Sequence, residues 1–433
     1  MSFSFGFSGD DIEGEGDATE HEALTSQISQ YTLSDSVKSP AHIAVQPERH
    51  SLGELLASLP SQISYSKLHI PSPEDHGLTN NQSNNNNNNN GVQTTLYRRS
   101  VFDIRAQLMA EANPSAAEEE DTAKTLLSGL ESGDLASGVY EGGFKTWECA
   151  LDLASLVASE SDFVLHHRNH PGQEEEDWEV VELGAGSAVP TLALITKFLE
   201  RRKGQSPQSG SLKVTLCDYN VDVLRLATAP NVLLNYLFAS AKVSPSLDDE
   251  GSWDGGDLDL EELGGDSFVN STLQDIASKN ISFDFISGGW GPEFLDLINR
   301  PPSPSARDSQ ETDQNRRPPT NLLILASETI YSPSSLKSFS ETVLSLLLRT
   351  SSHSHRSGTG TGKGEAIPEP KAWVAAKRVY FGVGGGVDEF VREMDRLGAT
   401  SRVVMDIKDA GVGRVVLEVT LSAPASEDIT AST

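Results

Sequence analysis

Short apolar runs alternate with amphipathic segments along the C-terminal part of the chain. Runs of this kind predict strands; they occur at residues 180–183, 212–217, 282–287, 321–326 and 372–380. Apolar residues at helical spacing follow several of these runs, at 191–199, 333–348 and 387–397. Two closing runs, 402–407 and 413–421, are predicted to pair antiparallel. The alternation predicts an α/β fold with a mostly parallel sheet and helices on both faces.

Segments rich in Gly, Pro, Ser or charge interrupt this pattern. We predict surface loops at 161–177, 244–266, 300–319 and 351–370. We divide the chain into a disordered acidic tail (1–48), an N-terminal extension (49–135), the main α/β domain (136–423) and a second disordered tail (424–433). The extension is predicted to carry short helices, one of them stopped by Pro60, and an asparagine-rich linker at 84–90.

Composition excludes several classes of function. A formal charge of −30 over 433 residues disfavours direct nucleic-acid binding and suits a basic protein partner, although acidic loops are often only solvated surface. Both cysteines, Cys149 and Cys217, fall inside apolar elements, which favours a reducing compartment over a disulfide frame or a metal site. No apolar run is long enough to span a membrane. We expect a soluble monomer in the cytoplasm, with nuclear entry left open.

A strand, a glycine turn and a helix occur in sequence around Glu182, Gly184 and Gly186. Such a turn lets a ligand approach the backbone and the helix N-terminus. A dinucleotide fingerprint needs a glycine at the sixth position of the motif, where this chain has Val189, and no phosphate-loop Gly-Lys-Ser/Thr follows. The acid beside the turn suits a cationic ligand, and S-adenosylmethionine carries a sulfonium and an amino group. Glycine turns after strands are nevertheless common.

A second acidic residue marks the end of the next predicted strand. Asp218, followed by Tyr219 and Asn220, is placed where an acid can accept both hydroxyls of a ribose. The alternative is that Asp218 only caps the following helix, and the two roles are compatible. Two acids at successive strand ends favour a methyltransferase-type nucleotide site.

Other candidate residues follow later strands. Because ligands of open α/β sheets bind beyond the carboxyl ends of the strands, we expect Trp290, Glu328 and a glycine turn at 384–386 to share the site with Glu182 and Asp218. Trp147, near the start of a predicted helix, is interpreted either as a pocket residue or as a core anchor.

Several stretches together resemble the eukaryotic protein-histidine N-methyltransferases, a branch of the seven-strand, Rossmann-like class I methyltransferases. They are VYEGGFKTWEC, VVELGAGSAVP, CDYN, NVLLNY, FISGGW, ASETIYSP and AAKRVYFGVGGGV, with LGELLASLPSQISYS and LYRRSVFDIRAQLM in the extension. The resemblance covers most of residues 50–421; Ala188 departs from it, standing where many methyltransferases have a third glycine. It implies S-adenosylmethionine as cofactor and methylation of one histidine in a large-subunit ribosomal protein.

The resemblance also implies contacts. Cofactor contacts are implied for Lys145, Thr146, Trp147, Glu148, Cys149, Glu182, Gly184, Gly186, Asp218, Tyr219, Asn220, Ser287, Gly288, Gly289, Trp290 and Ser327. Substrate contacts are implied for Gly384, Gly385 and Gly386, and catalytic positions for Glu328 and Tyr331.

The chemistry needs no strong base, because a neutral imidazole is already nucleophilic near neutral pH. We expect Glu328 to hydrogen-bond the second ring nitrogen, and Tyr331 either to orient the acceptor or only to pack. Two alternatives stay open. One is a methyltransferase of another acceptor, such as lysine, on the same scaffold. The other is a non-catalytic module that binds a basic protein.

Overall fold

A computed structural model describes most of the chain. The described residues are 12–13, 45–71, 94–116, 121–135, 140–164, 177–203, 210–243, 255–300, 321–354, 370–381, 384–408 and 411–422. Most of the predicted tail 1–48, the asparagine tract, the greater part of three predicted loops (161–177, 300–319 and 351–370) and the tail 424–433 lie outside them.

The described residues form thirteen strands and eleven α-helices. The strands are β1 (Ile12–Glu13), β2 (Glu48–His50), β3 (Gln62–Ile70), β4 (Thr94–Arg99), β5 (Thr146–Trp147), β6 (Trp178–Leu183), β7 (Leu212–Asp218), β8 (Gly255–Asp259), β9 (Ile281–Ser287), β10 (Asn321–Ser327), β11 (Lys371–Lys377), β12 (Ala399–Ile407) and β13 (Arg414–Leu421). The helices are α1 (Leu52–Leu56), α2 (Val101–Glu111), α3 (Thr122–Glu131), α4 (Glu148–Val164), α5 (Val189–Arg202), α6 (Val221–Val223), α7 (Ala229–Ala239), α8 (Gly265–Ser278), α9 (Pro292–Asn299), α10 (Pro333–Ser354) and α11 (Val387–Arg396). A π-helical turn, Leu224–Thr228, joins α6 to α7.

The main sheet has the strand order β12-β13-β11-β10-β6-β7-β9-β2. Strands β11, β10, β6, β7 and β9 run parallel, and β13 is antiparallel to both β11 and β12. With the edge strand β2 set aside, this is the seven-strand order of class I methyltransferases, so the predicted fold class and its terminal hairpin are confirmed. The strand order reverses at the β6–β10 pair, and a crevice opens there at the carboxyl ends of the strands.

Helices cover both faces of the sheet because its central strands are apolar on both sides. Alternate residues of one strand enter different cores: Val180 of β6 packs with α4, α5 and α7, whereas Val181 packs with α9, α10 and α11. Leu323 and Ile324 of β10 divide in the same way. The continuous apolar runs seen in the sequence are therefore strands buried on both faces. None of the helices in the described ranges has the length and apolar character needed to cross a membrane.

The N-terminal extension contains strands that the sequence did not indicate. Strand β3 pairs antiparallel with β4 on one side and with β8 on the other, forming a separate three-stranded sheet. Strand β8 lies inside the segment 244–266 that was predicted as a loop. Its glycines are required there, since a Cβ at Gly255 would stand 2.3 Å from the carbonyl oxygen of Tyr65. A glycine-rich stretch was thus mistaken for a loop.

The main sheet begins earlier in the chain than the predicted boundary between the tail and the extension, which follows residue 48. Glu48 is the first residue of β2, which extends the main sheet by pairing with β9, and the amide of Gly289 donates to the carbonyl oxygen of Val45 at 2.9 Å. Chain that was predicted to be part of the tail therefore belongs to the edge of the main sheet. Further upstream, β1 pairs in parallel with β5.

Candidate active site

A cavity of about 300 Å³ opens at the carboxyl ends of β6, β7, β9 and β10. The loop 141–147 and the first turns of α10 complete its wall. Of the residues singled out in the sequence, the following line it: Lys145, Trp147, Gly184, Gly186, Asp218, Tyr219, Gly288, Gly289, Trp290, Ser327, Glu328 and Tyr331. One concave site therefore collects residues from positions 145 to 331, as the class of fold predicts.

The glycine turn after β6 is held against the loop 141–147 by direct backbone contact. Gly184 and Gly186 both have positive φ, +69° and +50°. A Cβ at Gly186 would stand 3.1 Å from the Cα of Gly143, and a Cβ at Gly184 would stand 2.7 Å from the Thr329 side chain. Ala188 also has a positive φ of +58°, the left-handed conformation in which glycine is favoured. The turn is therefore a tight cradle with no room for side chains.

Asp218 faces the cavity beside this turn. Its Oδ2 accepts a hydrogen bond from the amide of Gly186 at 2.9 Å, and its Oδ1 accepts one from the amide of Asn220 at 3.1 Å. The carboxylate lines the cavity, so a ligand can donate to it from that side. Burial raises the pKa of Asp218 to about 7. The helix-cap alternative is not observed, because Asn220 is the N-cap of α6 and makes no side-chain cap bond.

Glu182 lies below the cavity and does not line it. The side chain is fully buried, and its Oε2 accepts a hydrogen bond from the amide of Thr191 in α5 at 3.3 Å. Its Oε1 has no hydrogen-bond partner among the described residues. Burial raises the pKa of Glu182 to about 8. Burial without a full set of hydrogen-bond partners favours the neutral form of this carboxyl group.

Glu328 closes the inner end of the cavity from the turn after β10. It has a φ of +56°, unusual for a residue with a side chain, and its amide donates to the carbonyl oxygen of Ala375 at 2.9 Å. The hydroxyl of Tyr380 donates to its carboxyl Oε2. Burial raises the pKa of Glu328 above its ordinary value. The Tyr331 hydroxyl, on the adjacent wall, donates to Glu141.

Five other implied cofactor residues lie outside the cavity lining. Thr146 is buried between the guanidinium of Arg98 and the hydroxyl of Ser187, each at 2.9 Å. Glu148 pairs with Lys377 at 3.8 Å and with Arg414 at 3.5 Å. The remaining three are also engaged elsewhere in the fold. Cys149 is fully buried, Ser287 Oγ lies 2.8 Å from His50 Nε2, and Asn220 Oδ1 accepts from the amide of Glu141 at 3.1 Å.

The glycines implied to contact substrate also lie behind the cavity wall. The amide of Gly385 donates to the carbonyl oxygen of Tyr331 at 3.0 Å. A Cβ at Gly385 would stand only 2.2 Å from that oxygen, and a Cβ at Gly384 would stand 3.8 Å from the Pro333 side chain. This turn supports the backbone of Tyr331 and is not part of the cavity lining.

Several lining residues were not selected from the sequence. They are Glu141, Gly142, Gly143, Ala150, Ala185, Ser187, Thr329, Ser332, Ser334, Ser335 and Ser338. The glycine pair at 142–143 falls within the stretch VYEGGFKTWEC, but neither glycine was selected as a site residue. The serines at the start of α10 carry no pattern that distinguishes them from an ordinary exposed helix end.

The strand order and the cavity at the switch point define a class I methyltransferase. No protein-family model matches the chain. Histidine protein methyltransferase 1 of Saccharomyces cerevisiae is 30% identical over 410 residues, which is 91% of each chain. The protein of the same name from Schizosaccharomyces pombe is 30% identical over 86% of this chain and 85% of its own. The histidine protein methyltransferase 1 homologue of Rattus norvegicus is 27% identical over 67% of this chain and 60% of its own.

The chain belongs to the histidine protein methyltransferase 1 family and is a methyltransferase enzyme, so the resemblance inferred from its motifs is confirmed. M. capricolum TrmK in complex with S-adenosylhomocysteine matches with a TM-score of only 0.25 at 9% identity, over 63% of this chain and 71% of that one.

Proposed function

We propose that the protein transfers a methyl group from S-adenosylmethionine to an imidazole nitrogen of a histidine in a large-subunit ribosomal protein. The observation that carries the proposal is the cavity at the β6–β10 switch point, with the glycine cradle, Asp218 and Glu328 on its surface. The family relationship supports histidine as the acceptor, since the relatives are named for that activity.

The residues present fit a cationic nucleoside cofactor. At Gly184 and Gly186 the cavity is lined by main chain without side chains, so a ligand can approach the backbone closely. Asp218 presents its carboxylate to the cavity, where it can accept from a vicinal diol, and Glu182, two residues before Gly184, is a second buried carboxyl group whose Oε1 has no partner among the described residues. Two buried carboxyl groups with raised pKa would each be stabilised in their ionised form by an incoming positive charge. An anionic pyrophosphate would be repelled by the same groups.

Each part of the wall then has a role within the proposal. Lys145 and Trp147 border the methionine end, and Asp218 holds the ribose. Tyr219, Gly288, Gly289 and Trp290 flank the adenine; the Trp290 ring is itself supported by Phe339, with ring centroids 5.0 Å apart. Ser327 borders the same site from the end of β10.

The transfer itself depends on placement more than on activation. S-adenosylmethionine supplies a methyl group on a positively charged sulfur. One imidazole nitrogen of the substrate would accept this methyl group as the methyl–sulfur bond breaks and the cofactor leaves as a neutral thioether, and the other ring nitrogen must carry the proton. The Glu328 carboxylate would accept a hydrogen bond from this N–H, hold the tautomer, and take the proton released when the ring becomes cationic. Tyr331, fixed by Glu141, would orient the ring.

Charge supports a basic protein as substrate. The chain carries a formal charge of −30, and an acidic surface attracts ribosomal proteins, which are rich in Lys and Arg. Glu141 adds a carboxylate at the cavity itself.

The test is incubation of the purified protein with labelled S-adenosylmethionine and large-subunit ribosomal proteins, followed by amino-acid analysis of the labelled product. We expect methylhistidine in a single protein. Label in methyllysine would be consistent with the proposed cofactor but would overturn the assignment of histidine as the methyl acceptor. Absence of label, together with no cofactor binding by calorimetry, would leave a non-catalytic binding module. Asp218→Ala is the control for label that does not depend on this site.

A further inference from the structure

Asp134 is a buried carboxyl group just outside the cavity. It follows the C-terminus of α3 in a turn where Gly133 and Asp134 both have positive φ, +108° and +63°. The Asp134 side chain is fully buried and contacts the loop 141–147 through hydrogen bonds.

Four donors, one from Tyr140 and three from the loop 141–147, converge on this one side chain. The Tyr140 hydroxyl donates to Oδ1. The amide of Gly143, the amide of Lys145 and the indole nitrogen of Trp147 all donate to Oδ2, each at 3.1 Å. These donors come from residues spaced along the loop, so one carboxyl group sets the path of the whole segment.

Three of the four donor residues are cavity residues. Gly143, Lys145 and Trp147 line the cavity, and Gly143 also touches Gly186 across the cradle. Tyr140 does not line it. Its fully buried ring packs in a separate core with Ile104, Leu108, Leu126 and other residues of α2 and α3. The extension is thereby connected through Tyr140 and Asp134 to the wall of the site.

We infer that Asp134 is a positioning residue for the cofactor: it holds the loop 141–147 in the conformation that forms the methionine-side wall of the cavity. The inference rests on the proposed function for the identity of the ligand. It assigns to the N-terminal extension a part in cofactor binding that no residue lining the cavity reveals.

The test compares Asp134→Asn with Asp121→Asn. Asp121 is a matched control, because it is also a buried carboxyl group of the extension and accepts amide hydrogen bonds from Asn113 and Ala123, but it does not line the cavity and makes none of the hydrogen bonds that hold the loop. We expect Asp134→Asn to weaken S-adenosylmethionine binding by roughly ten- to hundredfold in calorimetry, with kcat at saturating cofactor largely retained. Asp121→Asn should change affinity less than threefold, even where its loss of thermal stability is similar.

A second measurement does not depend on the ligand. Hydrogen exchange of the amides of Gly143 and Lys145 should accelerate in Asp134→Asn and not in Asp121→Asn. If Asp134→Asn does not fold, Tyr140→Phe decides, since it removes one donor outside the cavity and should raise the cofactor Kd several-fold. Unchanged affinity and exchange in these variants, or equal affinity losses in both Asp variants, would overturn the inference. Failure of the proposed function looks different: the wild-type protein itself would not bind S-adenosylmethionine.

Discussion

Two glycine turns follow parallel strands at the same edge of the sheet, yet they do different things. The turn after β6, with Gly184 and Gly186, faces the cavity and meets the loop 141–147. The turn after β11, with Gly384 and Gly385, meets the backbone of Tyr331 and lies outside the cavity lining. Both pack closely against another chain segment, and only the first borders the site.

The difference shows what a glycine pattern can and cannot indicate. Glycine marks a place where something approaches the backbone closely, but the pattern does not say whether a ligand or another part of the chain approaches. The second turn contributes indirectly, because Tyr331 lines the site and Tyr380, beside the turn, donates to Glu328. Substitutions in the first turn should therefore affect ligand binding, whereas substitutions in the second turn should affect the positions of Tyr331 and Glu328.

The largest effect is expected from Gly186→Ala. The new Cβ would stand 3.1 Å from the Cα of Gly143 at a positive φ, so the cradle and the loop must move apart. Cofactor affinity measured by calorimetry should fall roughly a hundredfold, about 2.7 kcal/mol of binding free energy. Gly398→Ala is the matched control: its φ is +85°, but a Cβ there would meet no atom of the described residues within 4 Å. An equal loss of affinity in Gly398→Ala would attribute the effect to general backbone strain.

Gly385→Ala should act on the fold more than on the cofactor. Its Cβ would overlap the carbonyl oxygen of Tyr331, so the turn or the Tyr331 backbone must shift. We expect the free energy of unfolding in urea to fall by about 1–3 kcal/mol. Turnover should fall as well, while the cofactor Kd stays within about threefold of wild type. A cofactor affinity that fell as far as in Gly186→Ala would show that both turns bind the ligand.

Glu328→Gln tests the residue that lies between the two turns. The amide keeps the shape of the side chain but cannot take a proton from the acceptor ring, so kcat should fall roughly ten- to hundredfold with cofactor affinity unchanged. Tyr380→Phe removes the hydroxyl that donates to Glu328 and should lower kcat in the same direction by a smaller factor. Full turnover in Glu328→Gln would remove this residue from the chemistry.

Local patterns predicted the main sheet well, because each parallel strand is an apolar run followed by its own helix. The glycine turn, Asp218 and Glu328 were visible for the same reason: each lies next to a strand that could be recognised. The sheet of the extension was not predictable in this way, since Ser64 of β3 meets Asp257 of β8 across 193 positions of sequence. Asp134 carried no local signal either, because its role exists only through the donors that the fold assembles around it.

The smallest expected effect, and the finest test of the first turn, is a pH dependence that depends on Asp218. Its pKa of about 7 in the ligand-free protein lies above the ordinary value of 3.8, and burial is the main cause. Between about pH 4 and 7 the folded protein therefore binds more protons at this site than the unfolded chain does. Stability of the ligand-free protein should fall as pH rises through this range and level off above it.

Cofactor affinity should change with the opposite slope, since the ribose hydroxyls need the ionised carboxylate as acceptor. Because the ionised fraction of a group with a pKa of about 7 rises roughly tenfold from pH 6 to pH 8, we expect calorimetric affinity to rise by up to about tenfold over this range. Asp218→Asn should bind more weakly at every pH and lose most of this slope. The pH dependence of affinity that remains in Asp218→Asn would come from Glu182. The pKa of Glu182 is about 8, so its ionisation should also raise cofactor affinity with pH, but over a higher pH range. If the pH dependence of cofactor affinity were unchanged in Asp218→Asn, Asp218 would not contact the ligand. The turn after β6 would then have no demonstrated ligand contact that distinguishes it from the turn after β11.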